Sequence, residues 1–285
     1  MGAAVRRIYL LALFAGATLA TAGATMAIAA DASPWDEDLQ SAARLIAAPA
    51  HNTPDGRVFR AGVEIKLKDG WHTYWRYPGD SGVPPVLDFS KSQNVKTVTV
   101  LYPAPTRFPD GAGGNSIGYT GDVVWPLHVV AENSGKPVTL DLKLDYAVCE
   151  KLCVPAKAAV ALSLNDADAA EDRALGAAES KVPKPVKLGA GGTLAIRAVH
   201  RENAAGKPRI VVAVAADEPV TLFAEGPTSQ WALPLPEPMA GPQDGLQRFA
   251  FELDGLPPGA KAEGATLKLT AVSGSQAIEV AFRLD

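Results

Sequence analysis

The residues best suited to chemistry in this sequence are two cysteines, Cys149 and Cys153, separated by three residues. A cysteine thiolate can attack a disulfide, bind a metal ion, or bond to a second cysteine. The chain has no other cysteines, so the pair is not part of a disulfide-rich scaffold and needs its own explanation. Closing a ring of five residues contributes only about 2 kcal/mol to stability, so a structural staple is a weak reason for the pair.

The residues alone leave three interpretations open. The pair could be a structural clamp in a non-catalytic periplasmic binding or adaptor module. It could be a metal site that uses both thiolates, with His72 and His128 as plausible additional ligands in this half of the chain. It could also exchange its disulfide with other proteins, which is the interpretation we favour. The C-x-x-x-C spacing does not decide among them, and the thioredoxin-type C-x-x-C is absent.

Alternating sequence on both sides of the pair predicts a β-hairpin. Apolar residues recur with a period of two over 138–148 and again over 154–164. Cys149 falls on the opposite face from Val148, and we expect that face to lie nearer solvent. Residues that face each other across a hairpin have Cα atoms about 4.5–5.5 Å apart. A disulfide accepts about 4.4–6.8 Å, so the pair can bond.

The same alternation elsewhere predicts an all-β protein. It occurs over 59–67, and the 26 glycines and 23 prolines are typical of the turns between short strands. Residues 165–180 break the pattern and predict a short helix or a polar linker. We expect two β-sandwich domains, at 31–165 and 188–285, joined by a linker at 166–187. Strands of the second are expected at 193–199, 209–215, 220–224, 248–253, 265–271 and 277–284.

The N-terminus is typical of a secreted protein. Arg6 and Arg7 precede an apolar stretch over 8–19, and Ala27-Ile28-Ala29 offers a cleavage site. We therefore expect residues 1–30 to be a cleaved signal peptide and the mature chain to reside in the periplasm. The formal net charge is -4, and a mildly acidic chain without a basic stripe disfavours nucleic acid as a partner.

Several motifs in order resemble the N-terminal domain of the thiol:disulfide interchange protein DsbD family, closest to its ScsB branch, which is associated with copper tolerance. The resemblance to this branch keeps open a copper-handling protein that uses the two thiolates. The resemblance covers nearly the whole mature chain. Its motifs are DGWHTYWR (69–76), PGDSGVPP (78–85), YPAPTR (102–107), IGY (117–119), YAVCEKLCVP (146–155), LFAEG (222–226) and Trp231.

This resemblance implies immunoglobulin-like domains and a protein-disulfide reductase that is as much an electron carrier as a catalyst. Cys149 and Cys153 would be its redox-active pair, with Cys153 forming mixed disulfides and Cys149 resolving them. No organic cofactor or metal is required. The implied partners are a separate membrane thiol-electron transporter, since the chain stops at Asp285, and periplasmic thioredoxin-like or disulfide-containing proteins. The resemblance does not specify the direction of electron flow, the reduction potential, the oligomeric state or the role of the second domain.

The resemblance also implies that a cap and a lining of aromatic side chains surround the pair. We expect the cap at 107–118, with Phe108 as the shielding ring. His72, Tyr74 and Tyr119 are the candidate lining residues. Aromatic residues on strands also commonly pack in cores, so this second role stays open for Tyr74. Tyr119 could instead only cap a strand, and His72 could be a surface or packing histidine.

Overall fold

A computed structural model describes residues 31–53, 56–111, 113–164, 168–204, 207–241 and 244–285. The predicted signal peptide at 1–30 lies outside these ranges. Within the described ranges, no helix is long and apolar enough to pass through a bilayer. The described chain is built almost wholly from β-strands, which confirms the predicted all-β class.

The first half of the described chain forms two sheets, ordered β1-β2-β3-β9-β6 and β11-β10-β4-β8-β7, with β5 also paired to β10. We call them the first sheet pair. Their strands are β1 (Asp36–Glu37), β2 (Ser41–Thr53), β3 (Gly56–Leu67), β4 (His72–Gly79), β5 (Val86–Asp88), β6 (Val95–Val100), β7 (Thr106–Pro109), β8 (Asn115–Thr120), β9 (Val123–Ala131), β10 (Thr139–Cys149) and β11 (Cys153–Ser163).

Alternation of apolar and polar residues explains how β10 sits in its sheet. Leu142 and Leu144 are buried, whereas Lys143 and Asp145 between them are exposed. Strand β11 continues this pattern and pairs with β10 along its whole length, from Thr139↔Ser163 to Cys149↔Cys153. The predicted hairpin is therefore confirmed, with the cysteines at its closed end.

The segment after β11 contains one short helix, α1 (Asp172–Glu179), where a helix or a polar linker was expected. Its Leu175 is fully buried against Ile46 of β2. Arg60 of β3 forms ion pairs with Asp172 and Glu179 of the helix. The helix is thus packed on the first sheet pair.

The second half also forms two sheets, ordered β12-β19-β18-β15 and β13-β14-β17-β16, which we call the second sheet pair. All six strands predicted for this half are present. The strands are β12 (Lys184–Pro185), β13 (Ala195–Ala204), β14 (Lys207–Ala215), β15 (Val220–Glu225), β16 (Glu237–Pro238), β17 (Gln247–Glu252), β18 (Thr266–Ser273) and β19 (Gln276–Arg283). The domain boundaries at 165 and 188 stay a prediction, because buried residues of both sheet pairs form one continuous cluster.

Strand β4 makes the principal polar contacts between the two sheet pairs. The Arg76 guanidinium donates to both carboxylate oxygens of Glu225, at 2.7 and 2.8 Å, and to Glu279 at 2.5 Å. Burial opposes the charge on Arg76, but its bonds to Glu225 and Glu279 raise its pKa above the ordinary value. The Tyr77 hydroxyl donates to the Leu233 carbonyl oxygen at 3.1 Å. Strand β4 is therefore anchored on the second sheet pair.

This anchoring predicts the effect of Glu225→Gln on stability. Arg76 would keep its ion pair with Glu279 but lose its bidentate ion pair with Glu225. Removing one member of a buried ion pair typically costs about 3–5 kcal/mol of stability. We expect the free energy of unfolding to fall by about 2–3 kcal/mol, because Glu279 remains. Urea unfolding measures the change.

Glu237→Gln is the matched control, since Glu237 also pairs with an arginine, Arg107, across the same interface. Its side chain is 63% exposed, so the loss should stay within about 1 kcal/mol. Equal effects of the two substitutions would contradict the importance of the Arg76 contact.

Candidate functional site

The two cysteines form a disulfide at the closed end of the β10–β11 hairpin. Cys149 is the last residue of β10 and Cys153 the first of β11, and they face each other directly across the strand pair. Their Cα atoms are 4.1 Å apart, slightly closer than the predicted 4.5–5.5 Å. This separation is also just below the usual disulfide range of about 4.4–6.8 Å. The two sulfurs are nevertheless bonded, which confirms the expectation that the pair can bond.

The two sulfurs differ sharply in their surroundings. Cys153 is exposed, and Leu152 beside it in the turn is 74% exposed, whereas Cys149 is only 2% exposed. The prediction that Cys149 lies nearer solvent is therefore wrong. Its side chain does leave the main core, as strand alternation requires, but it enters a small separate cluster with Tyr74 and Ala147. Alternation along a strand predicts the face on which a side chain lies, but it does not predict which other residues cover that face.

Tyr74 is the residue that covers Cys149. Its side chain is 2% exposed, and its hydroxyl oxygen lies 2.8 Å from the Cys149 sulfur and 3.1 Å from the Cys153 sulfur. Burial raises the pKa of Tyr74 above its ordinary value, so the hydroxyl keeps its proton at neutral pH. The structure thus brings this predicted lining residue into direct contact with both sulfurs.

Pairing of β4 with the end of β10 places Tyr74 there. The registered pairs are Thr73 with Val148 and His72 with Cys149. The buried Thr73 hydroxyl also donates to the Ala147 carbonyl oxygen at 2.9 Å. Because side chains alternate along a strand, His72 and Tyr74 lie on the same side of β4, towards the disulfide.

The P-G-D-S-G motif supports the ring of Tyr74 from the other side. Gly82 has φ of +125°, and a Cβ atom there would lie 2.3 Å from Tyr74 Cε1. Such a contact is too short for any side chain, and this backbone conformation also favours glycine. The motif is therefore more than a turn, because it leaves room for the tyrosine that contacts the sulfurs.

The predicted cap at 107–118 is a β-hairpin formed by β7 and β8, with Ala112 outside the described residues. Two residues of the P-G-D-S-G motif hold it in place. Asp80 accepts a hydrogen bond from the Asn115 backbone N–H at 3.0 Å, and Ser81 donates to the Asp110 carboxylate at 2.9 Å. The motif thus joins the cap hairpin to the strand that carries Tyr74.

Three aromatic rings form a row beside the disulfide. The ring of Phe108, on the cap hairpin, lies 4.6 Å from that of His72, which lies 5.7 Å from that of Tyr74. Phe108 and His72 are half-buried, and burial lowers the pKa of His72 below its ordinary 6.5. The structure thus places Phe108 against His72 in this row, and its role as the shielding ring stays a prediction.

Tyr119, the remaining candidate, lies elsewhere. It is buried in the main core against Trp125, and its hydroxyl donates to the Pro103 carbonyl oxygen at 2.9 Å. Its position opposite Thr73 turns its side chain to the core face of the sheet. The structure does not bring Tyr119 to the cysteine pair, and it packs this residue into the main core instead.

Sequence reasoning missed three polar residues near the pair. Ser116 is 1% exposed, and its side chain opposes the rise that burial causes in the pKa of Tyr74. Its own hydroxyl lies 3.2 Å from that of Ser81, which donates to Asp110. Ser81 stood within a quoted motif, and Asp110 and Ser116 stood within the predicted cap at 107–118, but no pattern in the sequence singled out these three side chains.

A disulfide with one exposed sulfur can be attacked by the thiolate of another protein, which is the access that thiol–disulfide exchange requires. Residues 42–165 match the family model described as "Thiol:disulfide interchange protein DsbD, N-terminal". This part of the chain is therefore a DsbD N-terminal-like domain, as its motifs predicted, and its family supports a role in thiol–disulfide exchange.

The fold resembles a solved structure over most of both chains. It is similar to the crystal structure of the N-terminal periplasmic domain of ScsB from Proteus mirabilis, with a TM-score of 0.68 and 19% sequence identity. The match covers 89% of this chain and 98% of the ScsB domain, so both sheet pairs lie largely within it. A comparison with curated protein sequences returned no match.

The aromatic row predicts how the pKa of His72 responds to Phe108→Ala. Removing this ring exposes the imidazole, and burial is what lowers its pKa. We expect the pKa of His72 to rise towards 6.5, as measured by following its ring protons in NMR spectra over pH. Phe108→Leu, which keeps an apolar cover, should shift it less. An unchanged pKa in Phe108→Ala would show that Phe108 does not shield this side of the site.

Proposed function

We propose that this protein is a periplasmic thiol–disulfide exchange protein that uses the Cys149–Cys153 pair to carry electrons between other proteins. The observation that carries the proposal is the asymmetry of the pair, with one sulfur exposed and its partner buried beneath Tyr74. A partner can reach Cys153 but not Cys149 directly. This asymmetry assigns the two cysteines different roles.

In the reducing half of the cycle, a thiolate of the electron donor attacks the Cys153 sulfur. The Cys149–Cys153 bond breaks, a mixed disulfide forms between Cys153 and the donor, and Cys149 leaves as a thiolate that takes up a proton. A second donor thiol then attacks the donor sulfur of the mixed disulfide. This step releases the oxidised donor and leaves both cysteines reduced.

In the second half, the Cys153 thiolate attacks the disulfide of an acceptor protein. One acceptor sulfur leaves as a thiolate, and a new mixed disulfide joins Cys153 to the other. Cys149 then loses its proton and attacks the Cys153 sulfur, which releases the reduced acceptor and restores the disulfide. Two electrons pass to the acceptor in each cycle.

The partners we propose follow the family to which residues 42–165 are matched. The donor would be a separate membrane thiol-electron transporter, and the acceptors would be periplasmic thioredoxin-like or disulfide-containing proteins. This places the protein in the class of protein-disulfide reductases. The periplasmic location has the support of the ScsB structure, which is titled a periplasmic domain.

Single-cysteine variants test the assigned roles. In Cys149→Ser the exposed Cys153 can still attack a disulfide, but nothing resolves the product, so mixed disulfides with periplasmic proteins should accumulate. Cys153→Ser is the matched control, because its remaining thiol is buried, and it should trap at least about ten times less. Non-reducing gels and mass spectrometry of the captured proteins provide the measurement.

Two outcomes would contradict the proposal. Equal trapping by the two variants would remove the distinction between an attacking and a resolving cysteine. A complete lack of mixed disulfides in both variants, with the folded protein present, would favour the structural clamp.

A further inference from the structure

The Tyr74 hydroxyl group is directed at the disulfide bond itself. Its oxygen lies 2.8 Å from the Cys149 sulfur and 3.1 Å from the Cys153 sulfur. Neither sulfur of a disulfide carries a hydrogen, so the hydroxyl is the donor in both contacts. Burial raises the pKa of Tyr74, so this hydrogen is present at neutral pH. A hydrogen-bond donor therefore faces the bond that the proposed exchange breaks.

The surroundings of Cys149 create a need for such a donor. Its side chain is 2% exposed and packs in a cluster with Tyr74 and Ala147. In the first exchange step Cys149 leaves as a thiolate, and apolar surroundings disfavour the charged form of a buried thiol. A thiol with a higher pKa is a poorer leaving group. Burial of Cys149 would thus slow the reaction if no group stabilised the developing charge.

We propose that Tyr74 is a catalytic residue, whose hydroxyl stabilises the Cys149 thiolate by a hydrogen bond as the disulfide opens. The choice of Cys149 as the leaving sulfur rests on the proposed function. A hydrogen bond to a charged acceptor is about twice as strong as one between neutral groups. The contact therefore strengthens while the bond breaks, and only interactions that strengthen towards the transition state accelerate a reaction.

The chemical step leaves Tyr74 unchanged. The thiolate of the electron donor forms a bond to the Cys153 sulfur, and the electron pair of the Cys149–Cys153 bond moves to Cys149. Tyr74 keeps its hydrogen and only donates it in a hydrogen bond. In the second half of the cycle, the same contact holds the Cys149 thiolate beside Cys153 before it attacks.

The fold positions the hydroxyl before the reaction begins. The loop after β4 packs directly on the tyrosine ring, because a Cβ atom at Gly82 would lie 2.3 Å from Tyr74 Cε1. On the neighbouring residue of β4, the Thr73 hydroxyl donates to the Ala147 carbonyl oxygen at 2.9 Å and joins β4 to β10. A donor that is already in place needs no reorganisation when charge develops, as in an oxyanion hole.

Reduction of the protein disulfide by dithiothreitol tests the role of Tyr74 in this step. A thiolate of the reagent attacks Cys153, Cys149 leaves, and the second thiol of the reagent then releases the reduced protein. Acid quenching followed by reversed-phase chromatography separates the oxidised from the reduced chain and gives the rate. We expect Tyr74→Phe to slow reduction about 100-fold at neutral pH, the lower end of the effect of removing an oxyanion-hole donor.

The pKa of Cys149 is the second measurement. In a Cys153→Ser background Cys149 is the one remaining cysteine, and NMR of ¹³C-labelled cysteine follows its Cβ atom over pH. Adding Tyr74→Phe should raise this pKa, because the thiolate loses more from the missing donor than the thiol does. If the hydroxyl only held the structure together, its removal would slow reduction without moving this pKa.

Tyr119→Phe is the matched control. It removes the hydroxyl of another buried tyrosine, which donates to the Pro103 carbonyl oxygen in the main core. This variant should change neither the reduction rate nor the pKa of Cys149. Other titratable groups on the elements around the site stay unchanged in every variant. They are His72 of β4, Glu150 and Lys151 of the turn, and Asp80 and Asp110 beside the cap hairpin.

The outcomes separate this inference from the proposed function. An unchanged reduction rate in Tyr74→Phe would overturn the inference, and so would a slower rate without a rise in the pKa of Cys149. Equal slowing by Tyr119→Phe would also overturn it, because a general loosening of the fold would then explain the result. The exchange function fails separately, if Cys149→Ser forms no mixed disulfides with periplasmic proteins.

Discussion

The pairing of strand β4 with the last two residues of β10 is the constraint on which the site depends. It sets His72 opposite Cys149, and it thereby brings the Tyr74 hydroxyl within reach of both sulfurs. Without this pairing Cys149 would end an open hairpin, and both sulfurs would face solvent alike. The difference between the two cysteines is therefore a property of the sheet and not of the hairpin that contains them.

The same strand connects the site to the rest of the protein. The three residues that follow Tyr74 on β4 contact the second sheet pair instead of the disulfide. They are Trp75, Arg76 and Tyr77. The cap hairpin reaches the same part of the molecule, because Arg107 pairs with Glu237 of β16. The second sheet pair thus contacts both the strand that carries Tyr74 and the hairpin that carries Asp110 and Phe108. This arrangement gives it a structural role in holding the site together.

Local pattern was sufficient to predict much of this structure. The period-two alternation on both sides of the cysteines specified the hairpin, its register and the face on which Cys149 lies. Aromatic residues were harder to place, because Tyr74 and Tyr119 both sit on strands within quoted motifs, and only the pairing of β4 and β8 shows that Tyr119 faces the core. The burial of Cys149 and the Ser81–Asp110 contact depend on residues 29 to 75 positions apart in sequence, and no local pattern encodes such contacts.

In the proposed function, the exposed Cys153 reacts with other proteins, whereas the buried Cys149 reacts only with Cys153. Brief treatment of the fully reduced protein with a limiting amount of iodoacetamide, followed by peptide mass spectrometry, tests this directly. We expect Cys153 to be alkylated at least about ten times faster than Cys149 at neutral pH. Equal labelling of the two, or faster labelling of Cys149, would contradict it.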